Sequence, residues 1–198
     1  MFDWIVGWVE QGGYLAVALL MFLENVFPPI PSELIMPLAG FSAARGQLSI
    51  TGVIAAGTAG SLAGALFWYW IGRSAGLERL KGFAQRHGRW LTLHANEIDR
   101  ARAIFDRHRG AALFFGRLIP TVRTLISVPA GVERLPILTF LLWSVLGTVL
   151  WTALLSGAGY WLQGQYERVS EWMNPISNAI FIALGLWYAY RVIRFRPN

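Results

Sequence analysis

Residues 114–131 read FFGRLIPTVRTLISVPAG. The stretch is apolar enough to lie in a bilayer, yet it carries Arg117, Arg123, Pro120 and Pro129. A charged side chain at bilayer depth costs roughly 2.5 to 3.5 kcal/mol on insertion scales. Proline inside a helix removes a backbone hydrogen bond and clashes with the preceding turn. A plain spanning helix therefore fits poorly. The combination predicts a broken, re-entrant segment that faces a protein-lined cavity, where irregular backbone is tolerated. Two arginines in such a cavity predict an anionic headgroup as its occupant, because the planar guanidinium fork donates two parallel hydrogen bonds to a phosphate.

The rest of the chain supports a bilayer setting. Hydrophobic residues make up 55% of it and charged residues 14%, against roughly 25% charged in soluble domains. The expectation is an all-α integral membrane protein with one compact domain over residues 1–198. Its ten tryptophans suit interface belts and helix packing. There is no cysteine, which excludes disulfides and thiolate metal sites. His87, His94 and His108 form no familiar metal motif, and no phosphate-binding P-loop or nucleophile–base pair is present. No metal, no cofactor and no enzymatic activity are expected. The net charge of +6 raises nucleic acid as a partner, but nine of the 17 basic residues fall between Arg73 and Arg109 and three more are Arg191, Arg194 and Arg196. That clustering fits cytoplasmic loops beside anionic lipid, not nucleic acid.

In chain order, residues 1–11 place Trp4, Ile5, Trp8 and Val9 at helical spacing and predict an interfacial helix. They lack a basic start and a cleavage site, so a removable signal peptide is not expected. Residues 12–45 form an acidic re-entrant segment. In it a helix leads to an unwound turn with Pro28, Pro29 and Pro31 that carries Glu24 and Glu33, and a short helix through Pro37 returns to about Ala44. Residues 46–72 are free of charge and long enough to span. Gly57, Gly60 and Gly64 give that span a small-residue packing face. Residues 73–110 are the polar stretch, with a capped amphipathic helix from Asn96 to His108 on the cytoplasmic leaflet. The arginine re-entrant segment covers 111–133, a second span 135–163, and a last span 174–193.

With the basic loop and the C-terminus in the cytoplasm, the arginine segment enters from the cytoplasmic side and the acidic segment from the outside. Pro31-Ser-Glu33 followed by Pro37-Leu-Ala-Gly40 and a span echoes Pro120-Thr-Val-Arg123 followed by Pro129-Ala-Gly131 and a span. This predicts an inverted repeat of two re-entrant hairpins, each followed by a transmembrane helix, in which one half carries acids and the other bases.

FLENVFPPIPSE, GRLIPTVRTLISVPAG and the connecting spans resemble the DedA family of bacterial inner-membrane proteins, which shares its domain with eukaryotic SNARE-associated and scramblase proteins. The resemblance runs from about Tyr14 to Tyr160. It implies translocation of an anionic lipid, either undecaprenyl phosphate or a phospholipid such as phosphatidylethanolamine, dependent on the proton-motive force, in the cytoplasmic membrane of a bacterium. It assigns essential acids to Glu24 and Glu33 and essential arginines to Arg117 and Arg123. Many members carry an aspartate in a G-D-x-x-x-Y-x-x-G-R stretch. Here Gly64 is followed by Ala65, while Tyr69, Gly72 and Arg73 match.

The residues leave alternatives open. Arg117 and Arg123 bind phosphate, or they only pair with Glu24 and Glu33; a buried ion pair adds little net stability, whereas an isolated buried charge is costly. Glu24 and Glu33 carry protons, because burial disfavours an ionised carboxylate and a nearby arginine favours it, or they serve as structural partners. Pro28, Pro29, Pro31, Pro37, Pro120, Pro129 and Gly131 are the expected hinge positions. Beside the lipid flippase stand a proton-coupled exporter of small ions or drugs, a non-transporting assembly factor and an intramembrane lipid hydrolase. The expected partners are membrane lipids and protons, with a homo-oligomer also open.

Overall fold

The computed structural model describes residues 2–26, 32–91 and 109–162. Among them the chain is all helix: α1 Phe2–Val26, α2 Ser32–Ala44, α3 Ile50–Leu91, α4 Arg109–Arg117, α5 Pro120–Arg123, α6 Ser127–Val132 and α7 Ile137–Trp161. Pro28, Pro29 and Pro31, the helix expected over Asn96–His108 and the last expected span lie outside the described residues.

Among the described residues, two helices are long and apolar enough to cross a membrane, Ile50–Gly76 in α3 and Ile137–Trp161, which is α7. Their surfaces are inside out relative to a soluble protein. On α7, Ser144, Thr148, Thr152 and Ser156 are buried, while Leu138, Leu142, Leu146 and Leu154 are exposed. Lipid tails solvate leucine as well as a protein core does, so helix association in a bilayer relies on close packing and on buried polar groups.

Local sequence explains the breaks. Glycine tolerates the left-handed region at no steric cost. Gly13 uses it (φ 53°) to kink α1, beside the boundary expected between the interfacial helix and the acidic segment. Gly76 (φ 69°) turns α3 just past Arg73, and the helix then runs on to Leu91. Ile119 is extended ahead of Pro120, as the residue before a proline prefers, so α4 ends and α5 begins. Arg134 (φ 50°) sits just past α6, and its N–H bonds the Gly131 carbonyl, closing that helix.

The acids sit differently from expectation. They are not in an unwound turn. Glu24 stands in the last turn of α1, and Glu33 in the first turn of α2. Helix α1 can continue to Val26 because the proline restriction first acts on Phe27, which precedes Pro28. A carboxylate in the first turn of α2 is favoured by the positive end of that helix.

Packing follows a paired pattern. Helix α1 lies on α3 and α4 on α7, while α2 lies on α7 and α6 on α3. One core joins Val17, Leu20 and Met21 of α1 to Ile35, Met36 and Ala39 of α2 and Val53 of α3. The other joins Tyr69 of α3 to Leu113, Ala130 and Phe140; the Tyr69 and Phe140 rings stack at 4.6 Å.

Glycines set the crossings. A Cβ on Gly40 would fall 2.0 Å from the Ser156 carbonyl oxygen, and one on Gly159 would fall 1.9 Å from that of Pro37. The other crossing repeats this. A Cβ on Gly131 would meet the Tyr69 oxygen at 2.0 Å, and one on Gly72 the Val128 oxygen at 2.3 Å. Gly60 and Gly147 also lie close to backbone, that of Ala18 and of Phe114. Gly60, Tyr69 and Gly72 stand at the same mutual spacing in α3 as Gly147, Ser156 and Gly159 in α7. The two crossings thus share one spacing.

A direct consequence can be measured. Gly40→Ala forces two backbones apart, and overpacking of this kind typically costs about 1–3 kcal/mol. Gly157 has open space where its Cβ would go. Thermal unfolding in detergent should therefore shift down clearly for Gly40→Ala and little for Gly157→Ala. Equal shifts would remove close approach as the reason for the glycine.

Candidate anion site at the helix ends

The broken segment delivers its two arginines from the C-terminal ends of short helices, where a cation is favoured. Arg117 closes α4 and Arg123 closes α5. They are six residues apart, which on an unbroken helix would turn them to different faces; the break at Pro120 brings both inward. Both are buried.

Their surroundings differ. The Nη2 of Arg123 donates to Glu24 Oε1 in a buried ion pair. Its guanidinium lies over the Trp151 ring, 5.8 Å from the centroid. Trp151 Nε1 reaches in turn to Ser32 Oγ at 3.4 Å, so one indole ties α7 to the start of α2 and to Arg123. Glu24 sits at the end of α1 where the helix dipole opposes a carboxylate, and Arg123 offsets this.

Arg117 is 2% exposed and has hydroxyls for partners. Its Nη2 donates to Ser127 Oγ at 2.8 Å and to Ser144 Oγ at 3.4 Å, and its cation faces the Phe140 ring at 5.8 Å. Among the described residues no carboxylate pairs with it. Arg123 and Glu24 are near enough for Arg117 to feel their charges. Glu33 is half-buried and within electrostatic range of Glu24.

The symmetrical scheme of two arginines on two glutamates is therefore not what forms. One pair forms; one arginine is left with neutral partners. Several buried polar atoms here also lack a hydrogen-bond partner: Arg117 Nε, Arg123 Nε, Glu24 Oε2, Glu33 Oε1, Asn25 Oδ1 and Thr148 Oγ1. Most buried polar groups in proteins are bonded, so these orphaned atoms call for a cause. The arrangement can receive a compact anion, with the guanidinium groups donating and a carboxylate yielding its place.

Of the expected hinge residues, Pro37 lies within α2 with its carbonyl against Gly159, Pro120 opens α5, and Pro129 and Gly131 lie in α6 at the α3 crossing. Ser127, Ser144, Thr148, Ser32 and Trp151 were not singled out by the sequence. A signal existed: Ser144, Thr148, Thr152 and Ser156 recur every four residues, one face of a helix.

The matching part of the G-x-x-x-x-Y-x-x-G-R stretch is a tie between elements. Arg73 Nη1 donates to Tyr69 Oη at 2.7 Å, and that hydroxyl donates to the Leu135 carbonyl at 2.6 Å. This holds α3 to the turn between α6 and α7. Ala65 is fully buried in the second core, so apolar packing occupies the position where the resemblance would put an acid.

The VTT domain model matches residues 30–161. An "Alkaline phosphatase-like protein" of Lactococcus lactis subsp. lactis is 36% identical over 96% of this chain and 90% of its own length. "Undecaprenyl phosphate transporter A" of Staphylococcus aureus is 34% identical, covering 96% of this chain and 94% of its own. The protein of the same name from Bacillus subtilis is 29% identical, covering 94% and 92%. No solved structure matches. With its apolar helices, its broken arginine segment and relatives matched over nearly their whole length, the chain is a membrane protein and belongs to the VTT-domain (DedA) family.

Proposed function

We propose that this protein moves an anionic lipid headgroup across the bacterial cytoplasmic membrane, with undecaprenyl phosphate as the substrate and protons as the coupling ion. One observation carries the reading: Arg117 is a buried cation held by two serine hydroxyls, with no carboxylate pairing it among the described residues. A buried charge without a counter-charge is costly, and an arriving phosphate would supply one. The family relationship, and relatives named as undecaprenyl phosphate transporters, support a lipid phosphate as that anion.

In the proposed cycle the phosphate first meets Arg117, then displaces Glu24 from Arg123. Glu24, deprived of its cation in a low-dielectric cavity, takes a proton. Release of the lipid restores the pair and returns the proton. Glu33, half-buried at the start of α2, is the proposed second acid of the proton route. The acidic and arginine segments act as oppositely oriented re-entrant hairpins, with the C-terminus in the cytoplasm. The shared register of the glycine crossings supports two equivalent halves. The Gly40–Gly159 crossing and the Gly72–Gly131 crossing would then part alternately, exposing the site first to one leaflet and then to the other.

The test is leaflet-resolved movement of undecaprenyl phosphate and of phosphatidylethanolamine by the purified protein in sealed liposomes, with and without a pH gradient. Undecaprenyl phosphate should change leaflet, and faster with the gradient. Movement of phosphatidylethanolamine in its place would keep lipid transport and replace the substrate. Release of inorganic phosphate without a change of leaflet would replace transport with hydrolysis, a reading raised by the name of the Lactococcus relative. No effect on either lipid would leave the exporter and assembly-factor readings standing.

A further inference from the structure

Helix α7 passes both arginines. Ser144 accepts from Arg117, and Trp151 lies beneath Arg123. Thr148 stands between them on the same face, since positions i, i+4 and i+7 of a helix align. Gly147 beside it is the point where the stem of Arg117 crosses α7; a Cβ there would fall 2.8 Å from Arg117 Cβ.

Thr148 is 4% exposed, and its Oγ1 has no hydrogen-bond partner. The other hydroxyls of that face are engaged. Ser144 is bonded to Arg117, Thr152 to the Thr148 carbonyl and to Thr58, and Ser156 to the Thr152 carbonyl. A buried hydroxyl left unbonded is unfavourable, and a valine of the same shape would avoid the penalty. The Nε atoms of both arginines are likewise buried without a partner. All three are donors, carried by α4, α5 and α7.

We infer that Thr148 is a ligand-binding residue of this site, its hydroxyl donating to one oxygen of a tetrahedral oxyanion gripped on either side by Arg117 and Arg123. This rests on the transport reading above and adds a residue and a geometry to it. Three donors from three helices suit a phosphate group, whose oxygens point in different directions. They suit a planar carboxylate less well, since its oxygens share one plane.

The experiment uses the full chain in nanodiscs, with an isoprenyl monophosphate as probe and inorganic phosphate as competitor. Thr148→Val keeps the shape and deletes the donor; Thr148→Ser keeps the donor. The valine variant should bind the isoprenyl phosphate about tenfold more weakly, as expected for losing one hydrogen bond to a charged group. The serine variant should bind close to wild type. The unliganded melting temperature of Thr148→Val should be unchanged or higher, because no bond is lost when the site is empty. Inorganic phosphate should compete less well on the valine variant by a similar factor. Wild-type affinity in Thr148→Val overturns the assignment while leaving the transport reading intact. So does a loss seen with the lipid alone, with inorganic phosphate competing equally on both proteins. A lowered unliganded melting temperature with no rescue by serine makes the role structural and overturns it too. Failure of the wild-type protein to bind either probe overturns the transport reading and this assignment with it.

Discussion

Arg117→Gln should abolish binding of the lipid phosphate yet leave the unliganded protein at least as stable as wild type. The two outcomes have one cause. Arg117 is a buried cation whose hydrogen-bond partners are the neutral Ser127 and Ser144, so its charge is a cost to the empty fold. Removing it relieves that cost. The two serines lose a donor, but a serine in a helix can turn its hydroxyl to a backbone carbonyl one turn back, as Ser156 does. Binding, in contrast, loses a bidentate contact. Charge-assisted hydrogen bonds contribute roughly 1.5 to 3 kcal/mol each, so two together amount to a factor on the order of a hundred or more. Arg117→Lys keeps the charge and loses the fork; its loss should be on the order of tenfold. Binding isotherms for the three proteins, with melting curves of the same preparations, check both halves. Wild-type affinity in the lysine variant would rule out bidentate recognition. A strongly lowered melting temperature in Arg117→Gln would show that the arginine serves the fold.

How far the sequence foretold this site depends on which physics each residue obeys. Proline and charge act locally, so the break between α4 and α5, the inward arginines and the two charge-free spans follow from the residues themselves. Which acid meets which arginine is set by how α1 and α2 approach α5, and pairing by position in the two halves gave no unique answer. The acids were expected in an unwound turn because four prolines follow Glu24 closely; the restriction acts one residue before each proline, and that left α1 room to carry Glu24 on its last turn. Ser144 and Thr148 do not stand out by residue type, because in an apolar stretch hydroxyls look like neutral filler. Their spacing of four residues was the usable signal. Trp151 was grouped with tryptophans of the interface, and only its place over Arg123 separates it from them. The glycines of α3 were legible as a packing face, and Gly60 and Gly64 do meet α1. The match in register of Gly60 and Gly72 with Gly147 and Gly159 is present in the numbering but needs the crossings to give it meaning.

Arg123→Gln should be among the most damaging single substitutions in the chain, and Glu24→Gln should repair its effect on folding without restoring transport. Arg123 is the cation on Glu24, both are buried, and Glu24 Oε2 already lacks a partner. Removing one member of a buried pair strands the other, at a cost of about 3–5 kcal/mol. Against a total stability of roughly 5–15 kcal/mol, that loss should show as poor yield and a sharply lower melting temperature. The double variant Glu24→Gln/Arg123→Gln replaces two charges with two amides of similar shape that can bond one another, so folding should recover. Transport should not, because the phosphate has lost one arginine and the proton its carrier. Glu24→Gln alone should fold, since an unpaired Arg123 would resemble Arg117 and still lie over Trp151, and its residual transport should no longer respond to a pH gradient. Glu33 provides the control. It is half-buried, and the ion pair on Arg123 is made by Glu24, so Glu33→Gln should not rescue Arg123→Gln. Melting curves of the two double variants separate the assignments. Rescue by Glu33→Gln and none by Glu24→Gln would move the pair to the other acid, and with it the carboxylate that the phosphate must displace.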